Sequence, residues 1–278
     1  MQLNLAALGQ PISLKPFNYD WKATALYALG LGAGTDSLDY TWEGRPDFKV
    51  MPSFAVIPTQ PIIMKALAQV NADFRRLVHG AQTITMHAPI PSEGVLHSVG
   101  QISEIQDKGK GAVVIIKTET KDNDGRLLFE TNWSIFCRGQ GDFGGERGES
   151  IAIPDAADLE PVLEKTYETT ASQALLYRLS GDLNPLHVDP DLATKVGFKA
   201  PILHGLCTYG VATRAILELL SDKDVGQLKS FTARFSQVVY PGESLRVRIV
   251  PAVEENIYRL DVTVGEQTVL SHGVVVVG

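Results

Sequence analysis

The sequence has few of the features that mark secreted, membrane-spanning or metal-binding proteins. Its 278 residues include only two cysteines, Cys137 and Cys207, so neither a disulfide framework nor a Cys-x-x-Cys metal motif is expected. No apolar run approaches the roughly 20 residues that a membrane span needs. The longest runs, such as Ala112 to Ile116, have the length of strands. These absences predict a soluble protein.

Positive charge is also scarce. The chain has 25 Lys and Arg residues against 32 Asp and Glu residues, which gives a net charge of −7. Basic residues cluster only around Lys108 and Lys110, whereas nucleic-acid binding needs a concentrated basic face. Nucleic acid is therefore not the expected partner, and an anionic substrate must be bound by local charges.

Both ends of the sequence lack a recognisable targeting signal. The first residues show no cationic segment followed by a long apolar one, so no secretory signal is expected. Val274 to Gly278 does not match the Ser-Lys-Leu type of peroxisomal address. We expect an intracellular protein, cytoplasmic if its source is bacterial.

Two parts of the chain resemble each other at an offset of about 150 residues. Ala-Leu-Tyr-Ala-Leu around Tyr27 matches Leu-Leu-Tyr-Arg-Leu around Tyr177, and Pro91-Ser92-Glu93 matches Pro241-Gly242-Glu243. Between them lie a segment rich in glycine and charge, 139–149, and a second linker-like segment, 154–161. The repeat predicts two copies of one fold, residues 1–150 and residues 151–278.

The order of predicted elements in each copy is a long helix followed by an antiparallel sheet, which is an α+β architecture. In the second copy, apolar spacing predicts a buried helix from Gly205 to Leu220, and the first copy should have a looser helix from Pro61 to Val70. β-Branched runs between turn signals predict the strands. These are 82–88, 95–106, 111–121 and 127–138 in the first copy, and 230–239, 244–250, 258–264 and 268–277 in the second.

The chemistry of the chain is concentrated in one loop of the second copy. Asp182, Asn184 and His187 lie within six positions of one another around Pro185. Each residue alone is compatible with an ordinary Asn-Pro turn. Together, an acid, an amide and an imidazole on a proline-stiffened loop can address one water molecule, with Asp182 and His187 exchanging protons and Asn184 orienting without titrating.

A possible oxyanion donor follows this loop in the sequence. Gly205 begins the long helix, where a backbone N–H carries partial positive charge and can stabilise a developing enolate oxygen. A glycine lets a thioester carbonyl approach without meeting a Cβ atom. The preceding His204 is expected to shape the start of the helix rather than to transfer protons.

These residues carry a resemblance to the type 2 enoyl-CoA hydratases of the MaoC-like family. The family signature runs from Tyr through Gly-Asp-x-Asn-Pro-aliphatic-His to a small residue, and all of it is present from Tyr177 to Ala193. The resemblance implies a double hot-dog fold that hydrates trans-2-enoyl-CoA to (3R)-3-hydroxyacyl-CoA in fatty acid metabolism. It places catalysis on Asp182, Asn184, His187 and Gly205.

The resemblance also implies where the substrate binds. It assigns the acyl-CoA contacts to His79, Gly80, Lys108 and Phe235. It implies no metal, no cofactor apart from the coenzyme A of the substrate, no membrane partner and a homodimer. Asp142 departs from the glycine-rich pattern of the family, which puts the flexibility of its loop in doubt.

The repeat offset predicts different work for the two copies. Subtracting 150 places Gly32, Gly34 and Ser37 opposite Asp182, Asn184 and His187, and none of the three is an acid or base. The first copy should therefore bind coenzyme A and the acyl tail rather than catalyse. Pro58 and Pro61 should interrupt its helix and open space for that tail.

Three other functions remain open from the residues. The same site could dehydrate a 3-hydroxyacyl thioester on a carrier protein, because one catalyst serves both directions. A hot-dog thioesterase would use a carboxylate and a helix N-terminus but would not need the Asp-x-Asn-Pro-x-His loop. A catalytically silent acyl-CoA-binding protein would not need all three polar residues.

Overall fold

A computed structural model describes residues 2–156 and 162–278 of the chain. The predicted linker at 154–161 therefore lies partly outside the described residues. The helices are α1 (Trp21–Gly30), α2 (Leu38–Thr41), α3 (Val56–Gln69), α4 (Gln173–Tyr177), α5 (Pro190–Lys195) and α6 (Gly205–Leu220). The strands are β1 (Pro11–Ser13), β2 (Phe17–Tyr19), β3 (Leu77–Met86), β4 (Gly94–Asp107), β5 (Gly111–Lys121), β6 (Leu127–Arg138), β7 (Leu163–Glu168), β8 (Leu228–Phe235), β9 (Ser244–Pro251), β10 (Ile257–Val264) and β11 (Gln267–Val277).

The strands form one antiparallel sheet that contains the same pattern twice. Its order is β1-β4-β5-β6-β3-β8-β11-β10-β9-β7, with β2 beside β4, so the two sets mirror each other about the β3–β8 pair. At that junction Thr83 pairs with Thr232, 149 residues later, and their Oγ1 atoms lie 2.9 Å apart. Equivalent residues of the repeat thus meet on a pseudo-twofold axis. The predicted α+β double hot-dog fold is confirmed.

Two long helices fill the inner face of this sheet. Along β9, Leu245, Val247 and Ile249 are buried while the residues between them face outward, which is the alternation of a strand with one covered side. α6 is buried from Leu206 to Leu217, as its apolar spacing predicted. Each fully buried aliphatic side chain stabilises the fold by about 1.5–3 kcal/mol, so this helix anchors the site at its N-terminus.

The corresponding helix of the first copy, α3, is longer than predicted. It begins at Val56 rather than at Pro61 and runs without a break to Gln69. Pro58 lies in the first turn, where a backbone N–H has no helical partner to lose, and Pro61 is tolerated inside the helix. Ile62 and Ile63 are buried. The expectation that prolines interrupt this helix is wrong, and a break there cannot be the source of tail space.

The start of β3 also differs from the prediction in a way that matters for the site. The strand begins at Leu77, five residues before the predicted start at Gln82, so His79 and Gly80 lie on it. A register shift between His79 and Ala81 leaves Gly80 as the extra residue of a β-bulge. Histidine and glycine carry little strand signal, which explains the missed start.

Within the described residues, no helix has the length and apolar character needed to span a membrane.

Candidate active site

The loop after α4 is fixed by its own polar groups. Gly181 has a φ of 137°, which only glycine adopts readily, and turns the chain out of the preceding helical segment. The Asp182 Oδ1 atom accepts a hydrogen bond from the Asn184 backbone N–H at 3.2 Å. The Asn184 Oδ1 atom accepts one from the Leu186 N–H at 3.1 Å, capping the 3-10 turn Pro185–His187. Asn184 is left with its side-chain NH₂ group as a donor.

His187 has one ring nitrogen committed and one available. Its Nδ1 atom lies 2.8 Å from the Ile202 carbonyl oxygen, and a carbonyl can only accept, so Nδ1 carries the proton. Burial lowers the pKa of His187 below its usual value, although the Ile202 carbonyl and the charge of Asp182 oppose this shift. The ring is therefore neutral at pH 7, with Nε2 as a free acceptor.

His204 contacts both of the other titratable residues. Its ring stacks on the ring of His187 at a centroid distance of 3.7 Å. Its Nε2 atom donates to the Asp182 carbonyl oxygen at 3.2 Å, and its buried Nδ1 atom has no partner in the described part of the chain. Burial, assisted by the neighbouring His187, lowers the pKa of His204 to about 4. The prediction that this residue shapes the helix start rather than transfers protons did not include these contacts.

Asp182, His187 and His204 bring ligand-type atoms within 4.8 Å of one another. One carboxylate and two imidazoles form a set that a zinc ion accepts. Two of the four imidazole nitrogens already donate to carbonyls, so Nε2 of His187 and Nδ1 of His204 are the two that could bind a metal ion. The cluster can thus act in two ways, as acid–base groups around a water or as a three-residue metal site.

Gly205 forms the floor beside this cluster as the first residue of α6. A Cβ atom at this position would lie 3.0 Å from the ring of Phe235, so glycine keeps the approach to the helix N-terminus open. Its backbone N–H belongs to the first turn, where no helical acceptor exists. The donor is free to meet a ligand oxygen.

His79 and Phe235 close the site from the two central strands. Their ring centroids lie 4.6 Å apart, and His79 also stacks nearly parallel on Trp133 at 4.9 Å. Burial lowers the pKa of His79 to about 4, against the opposing effects of its hydrogen bond to the Ala81 carbonyl and of nearby Asp182. His79 is therefore a neutral, aromatic wall of the site. Sequence reasoning did not identify Trp133 as part of that wall.

Lys108 lies apart from this group. It occupies the turn between β4 and β5, where its Nζ atom donates to the Arg147 carbonyl, and no hydrogen bond, ion pair or ring contact among the described residues joins it to the other site residues. Beside it, the Asp107 carboxylate accepts backbone N–H groups from Gly109, Asp142, Phe143 and Gly144. These bonds lower the pKa of Asp107 to about 2.

The glycine-rich segment that contains Asp142 is therefore held in place. Asp142 has a φ of 61°, so it takes the left-handed conformation for which a glycine would be the usual choice. Aspartate is among the residues that tolerate this region. The backbone can therefore take a glycine-type conformation at Asp142.

Comparisons with known proteins agree with this architecture. Residues 17–139 match the model of the MFE-2 hydratase 2 N-terminal domain, and residues 154–273 match the model of the MaoC like domain. The chain is 44% identical over 239 residues to 3-hydroxyacyl-thioester dehydratase Y of Mycobacterium tuberculosis, covering 83% of this chain and 82% of that protein. It is 41% identical over 247 residues to probable enoyl-CoA hydratase 2 of Dictyostelium discoideum, covering 85% and 83%.

A solved structure shows the same fold. The crystal structure of a MaoC-like dehydratase from Phytophthora capsici superposes with a TM-score of 0.89 at 27% identity, covering 99% of this chain and 98% of that one. The two domain models lie on either side of the repeat boundary near residue 150. The chain therefore belongs to the MaoC-like hydratase 2 family, in which a hydratase 2 N-terminal domain precedes a MaoC-like domain.

Proposed function

We propose that this protein is a hydro-lyase that reversibly hydrates trans-2-enoyl-CoA to (3R)-3-hydroxyacyl-CoA. The observation that carries the proposal is the cluster of Asp182, His187 and His204, with the helix terminus at Gly205 directly after His204. The names of the two similar proteins describe the two directions of one such reaction. The chain uses that cluster for proton transfer on a bound water.

His187 and Asp182 act on the same water molecule. Its oxygen forms a bond to C3 of the substrate while one of its protons passes to the pair, with the neutral His187 Nε2 atom as the base that the ring geometry leaves available. The C2=C3 electron pair moves to give a thioester enolate. The captured proton is then returned to C2, so that the net change is the addition of one water. Asn184 orients the water or the Asp182 carboxylate through its free NH₂ group.

Gly205 stabilises the charge that develops on the thioester oxygen. Its N–H at the start of α6 adds the helix dipole to a direct hydrogen bond. The rings of His79 and Phe235 form an uncharged wall around the reacting atoms, which strengthens this interaction by excluding water. Gly80, as the extra residue of the bulge, lets the thioester pass close to β3.

His204 acts as a positioning residue for both proton-transfer groups. It holds the Asp182 backbone by a hydrogen bond and the His187 ring by stacking, and it is only 1% exposed. Because burial keeps it neutral, it adds no charge that would repel a proton on His187. Its contribution is to geometry rather than to proton transfer.

The two copies divide the work, with residues 1–150 contributing most of the substrate binding and residues 151–278 performing the chemistry. His79 and Gly80 of the first copy lie at the site, and the family resemblance is the basis for assigning Lys108 to coenzyme A and the acyl tail to the first copy. The reaction calls for no cofactor beyond the coenzyme A of the substrate, because water, base and oxyanion donor complete it. A homodimer would show a light-scattering mass of twice 30.2 kDa.

The decisive experiment is incubation of the purified chain with crotonyl-CoA, following the loss of enoyl thioester absorbance and determining the configuration of the product. The proposal expects (3R)-3-hydroxybutyryl-CoA at an unchanged rate after treatment with EDTA. An Asp182→Asn variant serves as the control for contaminating hydratase. A (3S) product, or no turnover, would overturn the proposal.

Three further measurements identify the alternatives. Release of free coenzyme A, detected with a thiol reagent, would indicate a thioesterase. Loss of activity on EDTA treatment with recovery on adding zinc would indicate that Asp182, His187 and His204 hold a metal. A carrier-protein substrate would show as a much lower KM for crotonyl carrier protein than for crotonyl-CoA.

A further inference from the structure

A cleft of about 600 Å³ lies on the outer face of the sheet, where Arg246 and Arg248 of β9 alternate with buried Leu245 and Val247. Its floor is formed by β9, β10 and β11, whose inward residues Leu245, Val247 and Leu260 are buried in the core. The volume falls within the range of small-molecule sites, roughly 300–1,000 Å³. None of the residues that line it belongs to the proposed proton-transfer machinery.

Arginine dominates the charge of this cleft, in a chain whose net charge is −7. Arg246 is paired with Glu164 at 2.7 Å. Arg248 and Arg259 line the same cleft and form no ion pair within the described parts of the chain. In the strand register Arg248 lies between Glu164 of β7 and Asp261 of β10, whereas Arg259 lies between Val250 and Val274. Among the described residues the three arginines outnumber the two neighbouring carboxylates, and Arg259 has no carboxylate opposite it, so the cleft can bind an anion through the N–H donors of its guanidinium groups.

Hydroxyl and imidazole groups form one wall of the cleft. The Ser236 and Ser271 Oγ atoms lie 2.6 Å apart, and Ser271 Oγ lies 2.9 Å from Nδ1 of His272. His272 has a φ of 54° at a register shift of β11, which is a rare conformation for a residue other than glycine. A bulge of this kind re-aims a side chain, and here it joins His272 to the two serines. Strain at such positions often accompanies ligand sites.

We propose that this arginine cleft binds a phosphate-bearing ligand. Paired guanidinium donors beside hydroxyl groups are the combination that recognises phosphate oxygens, and charge-assisted bonds of this kind are about twice as strong as neutral ones. The phosphate has two possible sources, the nucleotide part of a CoA thioester or a separate phosphorylated regulator. Only the first source rests on the proposed function. Ser236 directly follows Phe235, so the cleft adjoins the strand end that closes the proposed active site.

The proposal is tested by calorimetric titration of the full chain with inorganic pyrophosphate, which needs no enzyme activity. Arg248→Gln and Arg259→Gln should each weaken binding by about tenfold or more, in line with the loss of a charge-assisted contact. Arg126→Gln is the matched control, since Arg126 is an exposed arginine on the distant β5–β6 turn. Absence of pyrophosphate binding, or equal binding by all three variants, would overturn the proposal.

Kinetics of the same variants distinguish the two sources. If the substrate supplies the phosphate, Arg248→Gln raises KM for crotonyl-CoA about tenfold and leaves KM for crotonyl-pantetheine, which lacks the nucleotide, unchanged. If a separate ligand supplies it, both KM values stay at the wild-type level while pyrophosphate binding is lost. If the protein has no hydratase activity but still binds pyrophosphate through Arg248, the proposed function is contradicted and the proposal of a phosphate site in this cleft stands.

Discussion

The two hot-dog copies place the same strands around the same kind of helix, yet only one of them carries the proposed acid–base loop. The first residues of α3 and α6, Val56 and Gly205, are separated by the same 149 residues as the paired threonines on the axis. A β-branched side chain thus stands in one copy where the other has its proposed oxyanion glycine. One residue earlier, Ala55 stands opposite His204. The fold is retained without the groups that the proposed chemistry needs.

In the first copy, the counterpart of the proposed catalytic loop has a structural task instead. Arg214 of α6 donates to the Gly32 carbonyl at 2.8 Å, to Asp36 at 2.8 Å and to Ser37 at 3.2 Å. Arg214 also pairs with Glu218 one turn away at 2.8 Å. The loop of the first copy therefore holds the helix of the second. A repeated scaffold can specialise by turning one copy of a loop into a support for the other.

The largest effect expected from this difference comes from the acid–base pair. Asp182→Asn and His187→Ala should each lower kcat for crotonyl-CoA by about 10²–10⁴-fold, the range for loss of a general acid or base. The double variant should lose much less than the product of the single effects, because both groups act on one water. Stopped assays at saturating substrate give kcat. Near-native turnover in either single variant would remove that residue from the proposed mechanism.

Gly205→Pro tests the helix terminus and should come next in size, with kcat lowered by about 10²–10³-fold through loss of one oxyanion donor. Proline suits the first position of a helix, and His204 already has a ψ of 131°, which a residue before proline prefers. Gly205→Ala is the matched control, because it keeps the N–H and only presses on Phe235. Equal kcat values for the two variants, with native circular dichroism, would rule out the N–H as the donor.

Much of this fold could be read from the sequence because its signals are periodic. The apolar spacing of α6 fixed its bounds at Gly205 and Leu220, and β5 and β6 began and ended where their β-branched runs did. The start of β3 was missed because its first residues include His79 and Gly80, whose place in the sheet depends on cross-strand partners. The predicted helix begins five residues later than α3 because its prolines are typical helix breakers, whereas in the structure burial of the apolar residues around them stabilises the helix.

For the site as well, residues with a local sequence signal were predicted and contacts between distant segments were not. Asp182, Asn184, His187 and Gly205 are close in sequence or sit at a helix start, so local patterns identify them. The contact of His204 with Asp182 and His187, and the stack of Trp133 on His79, arise only when distant segments pack together. An N-terminal helix cap that is not Ser, Thr, Asp or Asn was the one local signal that His204 has another task.

His204→Gln should have an intermediate effect on kcat. It tests the difference between the two copies at the position where the first copy has Ala55 and the second has His204. We expect kcat to fall roughly tenfold, because glutamine keeps a donor for the Asp182 carbonyl and loses the ring that stacks on His187. The pKa of His204 is about 4 when folded, so an unfolded chain binds an extra proton between pH 6.5 and 4. Folding stability therefore falls as pH is lowered through this window.

The stability difference between pH 7 and pH 4.5, from urea unfolding, should accordingly be smaller in His204→Gln than in the wild type. His79, with its pKa also about 4, contributes equally to both proteins and limits the change. A wild-type kcat in His204→Gln would show that stacking of the His204 ring on His187 is dispensable. An unchanged pH dependence of stability would show that folding does not lower the pKa of His204.

The smallest effects are expected at Asp36 and Ser37, the loop residues of the first copy. Asp36→Asn should cost about 0–1 kcal/mol of unfolding free energy, because its side chain is 66% exposed and Glu218 still compensates Arg214. Ser37→Ala, at a buried residue, should cost about 0.5–1.5 kcal/mol by removing one acceptor of Arg214. Both variants should keep kcat within about twofold of wild type, since neither residue reaches the proposed water. Urea unfolding and kcat measured on the same preparations separate the two roles. A large loss of kcat at unchanged stability would mean that this loop takes part in the reaction, and the two copies would then differ in degree rather than in kind.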